Sequence, residues 1–400
     1  MSTTLADESW LRSEVSRLQR ERPRLTAALL AAWSRPTLVL VPIAVVILGA
    51  LGSRIPDGDA GWFRRAGWSM TSTGFFDVFS DGGLQIGPVY LWCLGIATRF
   101  VTALGLPVLA TLAAAQAALV TWLGISTAGR AARRFGTDVL QAQWAIGLVL
   151  VLGGYLAESI GNGHPEEITV GLLLAHAALL AKDRRYVLAG LLVGLSTGVK
   201  QWGIFGGGVL GQGRSLRGLL LGGAAALGLV ALLYAPFFIW GDVQTYKHQW
   251  GFTSATALGS LEHSLGLSDW GMRFVQGALA GLAGLAIAWW GKASPLVTPI
   301  VAIAVRLVLD PMRLTYYSGP LVVLLVLWAW TTPIDLSRRG RLVATCASPM
   351  VVLTPYLVSG EPLWWTGTVA LCAAIVVPLA LEGASARGTA SAAGRQKTAR

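Results

Sequence analysis

Residues 217–238 read RGLLLGGAAALGLVALLYAPFF. After Arg217 this run carries no charge, and at helical rise it matches the roughly 30 Å hydrocarbon core of a bilayer. Comparable apolar runs occur near 37–53, 104–127, 140–157, 167–181, 186–199, 201–211, 271–290, 294–309, 318–332, 342–358 and 363–382. Most have spanning length if slightly tilted. The composition agrees: 54% of the 400 residues are hydrophobic and 13% charged, and mean hydropathy is +0.61. A soluble chain of this size needs about a quarter of its residues charged. The expectation is an all-α polytopic membrane protein with about ten to twelve transmembrane helices.

The net charge of +11 and pI near 10.1 suggest nucleic acid only if the basic residues form one surface. They sit instead in short clusters between apolar runs, as polytopic proteins arrange them. Cys93, Cys346 and Cys372 all lie in apolar stretches, with no disulfide or metal spacing.

Topology follows from the loops. Residues 1–36 form a basic arm containing Arg12, Arg17, Arg20, Arg22, Arg24 and Arg35, placed in the cytoplasm; they make a poor signal peptide. Alternate loops then carry Arg130, Arg133 and Arg134; Lys182, Arg184 and Arg185; Arg214 and Arg217; Lys292; and Arg338, Arg339 and Arg341. Residues 383–400 are expected to be a disordered basic tail on the same side. That side collects 22 of the 31 basic residues but 8 of the 20 acidic ones, the positive-inside pattern. The stretch 85–100 is also apolar, but counting it as a span would invert the later basic loops. It is read as an interfacial helix within a first outer loop, 54–103, of a membrane domain covering 37–382. Runs 186–199 and 201–211 are short and glycine-rich, which suggests a broken or re-entrant pair beside protein or a wet cavity.

Polar chemistry concentrates on the opposite side. The first outer loop holds Asp57, Asp59, Asp77 and Asp81 among Trp62, Phe63, Trp68, Phe75 and Phe76. The next holds Glu158, Asn162, His164, Glu166 and Glu167, and a later one Asp242, Lys247, His248, Glu262, His263 and Asp269. His176 lies within a span and reads as a packed, neutral residue. A transporter places polar groups near the membrane midplane, often in repeated halves, and a channel needs a filter sequence. Neither pattern is evident, although a transporter or flippase, or a membrane scaffold, stays as the alternative. Acidic, aromatic outer loops fit an active site at the membrane surface, served by a lipid-borne substrate.

The acidic pair Asp57-Gly58-Asp59 in an early outer loop resembles the modified Asp-x-Asp motif of GT-C glycosyltransferases. Gly161-Asn162-Gly163-His164-Pro165-Glu166-Glu167, the segment Gly190 to Trp202, and Ala235-Pro236-Phe237-Phe238 resemble segments of the bacterial DUF2029 (glycosyltransferase 87) proteins. The likeness covers about 50–380. It departs in the first loop, where Gln85-Ile86-Gly87-Pro88-Val89-Tyr90 stands in place of an Asp-Tyr or Tyr-Pro-Pro signature. The resemblance implies a hexosyltransferase of the bacterial plasma membrane. It would take a sugar, often mannose, from a polyprenyl-phosphate donor to a lipid or glycan acceptor, with inversion, on the extracytoplasmic face. The expected partners are donor, acceptor and membrane lipids, without nucleic acid. The residues name no cofactor, and a divalent cation is compatible with the acidic pair.

Inverting transfer needs a base for the acceptor hydroxyl, and Asp57 or Asp59 fits; Asp57 lies nearer the end of the first span, and the partner would orient the acceptor or a metal. The same segment also has turn chemistry. His164 and Glu166 are candidates to contact sugar hydroxyls or acceptor, whereas Glu167 equally suits a helix N-terminus. Lys200, at the break between two runs, and Arg313 are candidates to clamp the lipid phosphate. Tyr316 and Tyr317 are candidates to bond the sugar or line the lipid groove.

Overall fold

The computed structural model describes residues 13–54, 58–248, 266, 268–291, 293–310, 314–334, 336–350 and 361–398, and among them every regular element is helical. In chain order the α-helices are α1 Pro23–Trp33, α2 Pro36–Gly52, α3 Gly58–Ser69, α4 Pro88–Ala103, α5 Val108–Phe135, α6 Val139–Leu152, α7 Tyr155–Gly161 and α8 Glu166–Lys182. They continue as α9 Tyr186–Val199, α10 Leu216–Trp240, α11 Asp269–Trp290, α12 Val297–Val308, α13 Gly319–Thr331, α14 Arg338–Ala347 and α15 Glu361–Thr398. The protein is an all-α polytopic membrane protein.

Four helices are long and apolar enough to cross a bilayer alone: α5, α10, α11 and the 365–385 part of α15. Two bent pairs, α1 with α2 at 82° and α6 with α7 at 43°, raise that to six, and four shorter apolar elements lie beside them. The expected ten to twelve are approached only when those short elements are included. One reason is that the 201–211 run is not an α-helix. It forms a 3₁₀ helix, Gln201–Gly213. At about 2.0 Å per residue rather than 1.5 Å, thirteen residues reach about 26 Å, against about 20 Å for α. The expected break is present: α9 ends at Val199, and Lys200 is extended before the 3₁₀ helix starts. The two short runs thus form an antiparallel pair about Lys200, with Gly203 against Ser196 and Gly213 against Tyr186. The helical backbone of α15 also continues to Thr398, through the segment read as a tail.

The caps agree with the sequence. Asp138, Ser215, Ser268 and Ser337 each accept a backbone N–H in the first turn of the following helix, satisfying otherwise orphan donors. Arg133 and Arg134 occupy the last turn of α5, followed by Gly136 at φ +70°, as the helix dipole and a left-handed C-terminal position favour.

The basic loops gather at one end of the bundle. Arg134 pairs with Asp183 at 2.9 Å, and the Arg214 guanidinium donates to the Gly291 carbonyl. Helices α8, α11 and α13 start at the opposite end and run toward this one; α9 and α12 return. At the far end, Gly95 of α4 faces Gly67 of α3 so closely that a Cβ on Gly95 would overlap the Gly67 carbonyl. The Gly87 N–H donates to the Val199 carbonyl at 3.1 Å. These contacts seat α3, α4 and the end of α9 together, which places Asp59 near Lys200.

Candidate functional site

Asp59 stands in the first turn of α3, and His164 in the loop before α8. Glu166 and Glu167 form the first turn of α8, where the helix dipole favours carboxylates. Lys200 follows α9, Arg306 lies in the last turn of α12, and Asp310 just beyond it. Tyr316 and Tyr317 come from a short 3₁₀ helix, Thr315–Ser318. The loop brings its histidine to α3 through Gly163, whose φ of +79° and 2.5 Å gap from a built Cβ to the Ala60 nitrogen exclude a side chain. Gly163→Ala is expected to lower transfer activity at least tenfold and to destabilise the fold by about 1–3 kcal/mol, as overpacking does. Thermal unfolding in detergent and a rate assay check both parts; unchanged values for both would show that Gly163 does not seat the histidine.

His164 bridges two carboxylates. Its Nδ1 lies 2.7 Å from Glu166 Oε1, and its Nε2 3.1 Å from Asp59 Oδ2. Tyr316 stacks on one face of the imidazole, with centroids 4.2 Å apart and planes 9° from parallel, while Phe63 meets it edge-on at 5.0 Å. Exposure separates the two acids. The Glu166 side chain is 0% exposed and the Asp59 side chain 50%. A substrate can therefore meet Asp59, but not Glu166. The hydrogen bond from His164 is the main influence holding the Asp59 carboxyl below its ordinary range, against the opposing effect of burial. For His164, burial and the nearby Lys200 ammonium favour the neutral ring, but the Glu166 and Asp59 carboxylates outweigh them and raise its pKa above 6.5.

Behind this bridge is a buried lattice of charge. Lys200 Nζ lies 2.8 Å from Glu166 Oε1 and 2.8 Å from Glu167 Oε1. Arg306 faces Glu167 at 3.5 Å and Asp310 at 3.7 Å, and Arg273 reaches Asp310 at 3.0 Å. The Arg306 guanidinium lies over Trp202 at 4.4 Å and over Tyr317 at 4.9 Å. Buried charges persist only when so compensated. Lys200, Arg273, Arg306, Trp202, Gln201 and Tyr317 line a cavity of about 110 Å³. Three buried donor atoms of residues in that lining, Arg306 Nε, Arg306 Nη1 and Trp202 Nε1, have no hydrogen-bond partner, which leaves unsatisfied N–H groups beside the cavity. Among the described residues no group of three or more His, Cys, Asp or Glu side chains is arranged to hold a metal ion.

Of the residues singled out from sequence, Asp59, His164, Glu166, Lys200, Tyr316 and Tyr317 come together here. Asp57 and Arg313 lie outside the described residues. Lys200 is engaged by two carboxylates rather than standing free for a phosphate. Asp310 is met by Arg306 and Arg273. Those two arginines are the residues the sequence reading does not single out. Arg306 had a signal: an arginine inside the apolar run 294–309, four residues before an aspartate, is by default a functional residue in a membrane. Arg273 had a similar one: it lies inside the run 271–290, near a helix N-terminus that disfavours a cation.

The family model for glycosyltransferase family 87 matches residues 88–360, more than half of the chain. The protein belongs to glycosyltransferase family 87. No curated protein and no solved structure matches it. The family 87 segment contains His164, Glu166, Glu167, Lys200, Arg273, Arg306 and the tyrosine pair. Asp59 lies before it, and joins this cluster through the 3.1 Å contact with His164.

Proposed function

We propose that this glycosyltransferase moves a sugar, mannose by the family resemblance, from a polyprenyl-phosphate donor to a lipid or glycan hydroxyl, with inversion. The site faces the extracytoplasmic side of the bacterial plasma membrane, with both termini in the cytoplasm, because the basic loops gather at the other end of the bundle. One observation carries the reading: a half-exposed carboxylate, Asp59, is fixed by a buried histidine beside a cation-lined cavity. Asp59 takes the acceptor hydroxyl proton. The acceptor oxygen bonds the anomeric carbon as the bond from that carbon to the phosphate oxygen breaks. The phosphate leaves with the electron pair and lodges among the donors of Arg306, Trp202 and Gln201, with Arg273 and Lys200 adding positive charge. Tyr316 and Tyr317, in line between His164 and Arg306, flank the sugar.

The test uses purified protein in detergent with polyprenyl-phosphate-linked mannose, polyprenyl-phosphate-linked glucose or a nucleotide-linked mannose, each with a hydroxyl-bearing lipid acceptor. Transfer from a polyprenyl-phosphate sugar and none from the nucleotide sugar is expected. The converse result overturns the donor assignment. Transport that requires a sealed vesicle, without transfer in detergent, favours the transporter alternative.

A further inference from the structure

We propose that Glu166 is a positioning residue that holds His164 as an imidazolium, so that Asp59 is fixed and kept ionised for its work as base. The inference rests on the reading of Asp59 as that base. Its warrant is geometric. Both ring nitrogens of His164 face carboxylate oxygens, at 2.7 Å and 3.1 Å. A neutral imidazole carries one N–H and must present a lone pair to one of those oxygens, which repels; an imidazolium donates to both. Lys200 Nζ lies 3.2 Å from Nδ1, but lysine and histidine converge on the same Glu166 oxygen, at 2.8 Å and 2.7 Å. That oxygen is their shared acceptor.

The surrounding charges point the same way. Asp59 from α3, Glu166 and Glu167 from α8, and Asp310 after α12 are four carboxylates of one lattice. Lys200 after α9, Arg273 from α11 and Arg306 from α12 are its three permanent cations. Among these described residues the count is even when His164 is charged. The other titratable neighbours are Tyr316, stacked on the ring, Tyr317 beyond it, and Tyr90 on α4, which accepts a hydrogen bond from Gln116. All three are neutral phenols at ordinary pH. Glu166, with no exposed side-chain surface, does not touch the substrate and acts on the proton transfer through the ring it grips, while Lys200, its other partner, keeps Glu167. Stacking by Tyr316 fixes the ring plane, and hence the direction of the N–H that binds Asp59. His164 occupies one Asp59 oxygen and leaves the other for the acceptor proton.

The pH dependence has a definite sign. In the wild type the imidazolium is present through neutral pH. In Glu166→Gln the counter-charge is gone, so His164 titrates lower and is neutral at pH 8. Each unit of that fall leaves about tenfold less imidazolium above the new value. Glu167 still faces Lys200, so the fold has reason to survive. Glu166→Gln is expected to lose about tenfold or more in kcat at pH 8, with donor KM within about twofold, and to regain activity as pH falls toward 6 while wild type stays flat. A Glu166→Gln profile parallel to wild type overturns the proposal. An independent arm uses the wild type alone, with ¹⁵N-labelled histidine and the signal of His164 assigned by its loss in His164→Gln. Both ring nitrogens are expected to be protonated at pH 7.5; an unprotonated ring nitrogen overturns the proposal regardless of activity. If the wild type transfers no sugar from any donor, the functional reading fails, while the ¹⁵N signal still judges the imidazolium.

Discussion

Asp59→Asn is expected to lower kcat for sugar transfer by about 10²–10⁴-fold, the usual worth of a positioned general base. That range corresponds to about 3–5 kcal/mol of barrier. Asparagine keeps the size of the side chain, and its amide oxygen still accepts from His164 Nε2, so the protein should fold and bind the donor normally. What disappears is the anion proposed to take the hydroxyl proton. Because the wild-type carboxyl is held below its ordinary range by His164, the acidic limb of the wild-type rate profile should lie lower than an ordinary aspartate would place it. Asp81→Asn is the matched control. Asp81 accepts from the Trp62 indole at 2.7 Å, a bond that asparagine also supports, and its loss of charge should change kcat less than threefold. The comparison with Asp57 is decisive for the base. Should Asp57→Asn abolish transfer while Asp59→Asn leaves it intact, the base is the other member of the pair and the His164 bridge serves only the fold.

How much of this was legible in the sequence depends on the range of the interaction involved. Spans are local in sequence: the run at 217–238 and its relatives show their length and apolarity directly, and α10 begins within one residue of the expected start. The break at Lys200 was equally visible, because a lysine between two glycine-rich apolar runs is costly unless the chain leaves the hydrocarbon or meets an anion there. The form of the second run was not. Whether glycines support a 3₁₀ helix depends on what packs against them, here Leu174 beside Gly206 and α11 beside Gly208, both remote in sequence. The site was legible residue by residue but not as an arrangement. Glu166 reads alone as a polar residue able to meet a sugar. Only the approach of Lys200, 34 residues later, and Asp59, more than 100 residues earlier, turns it inward. Arg306 shows the cost of sorting charges by loop. A cation inside a span belongs to no loop, so a reading built on loop sidedness passes over it although its position alone marks it.

Arg306→Met should be the most destabilising substitution in the site. Removing one partner of a buried ion pair typically costs about 3–5 kcal/mol, because the remaining charge stays desolvated. Here two carboxylates lose a partner, but Glu167 keeps Lys200 at 2.8 Å and Asp310 keeps Arg273 at 3.0 Å. The loss should therefore lie near the lower bound, about 3 kcal/mol. Arg306→Lys restores charge without the flat guanidinium that sits over Trp202 and Tyr317, so an intermediate loss is expected. The structural and functional roles separate in the double variant Arg306→Met with Asp310→Asn. If the cost comes from uncompensated negative charge, neutralising Asp310 should recover a good part of the stability, read by thermal unfolding in detergent. It should not recover binding of a polyprenyl phosphate, read by displacement of a labelled donor, because the cavity still lacks the guanidinium that supplies two of its three unpartnered donor atoms. A double variant that binds the lipid phosphate as tightly as wild type would show that Arg306 only props the bundle. In that case the phosphate must be held by the remaining cations of the lining, Arg273 first, because Lys200 is already shared between two glutamates.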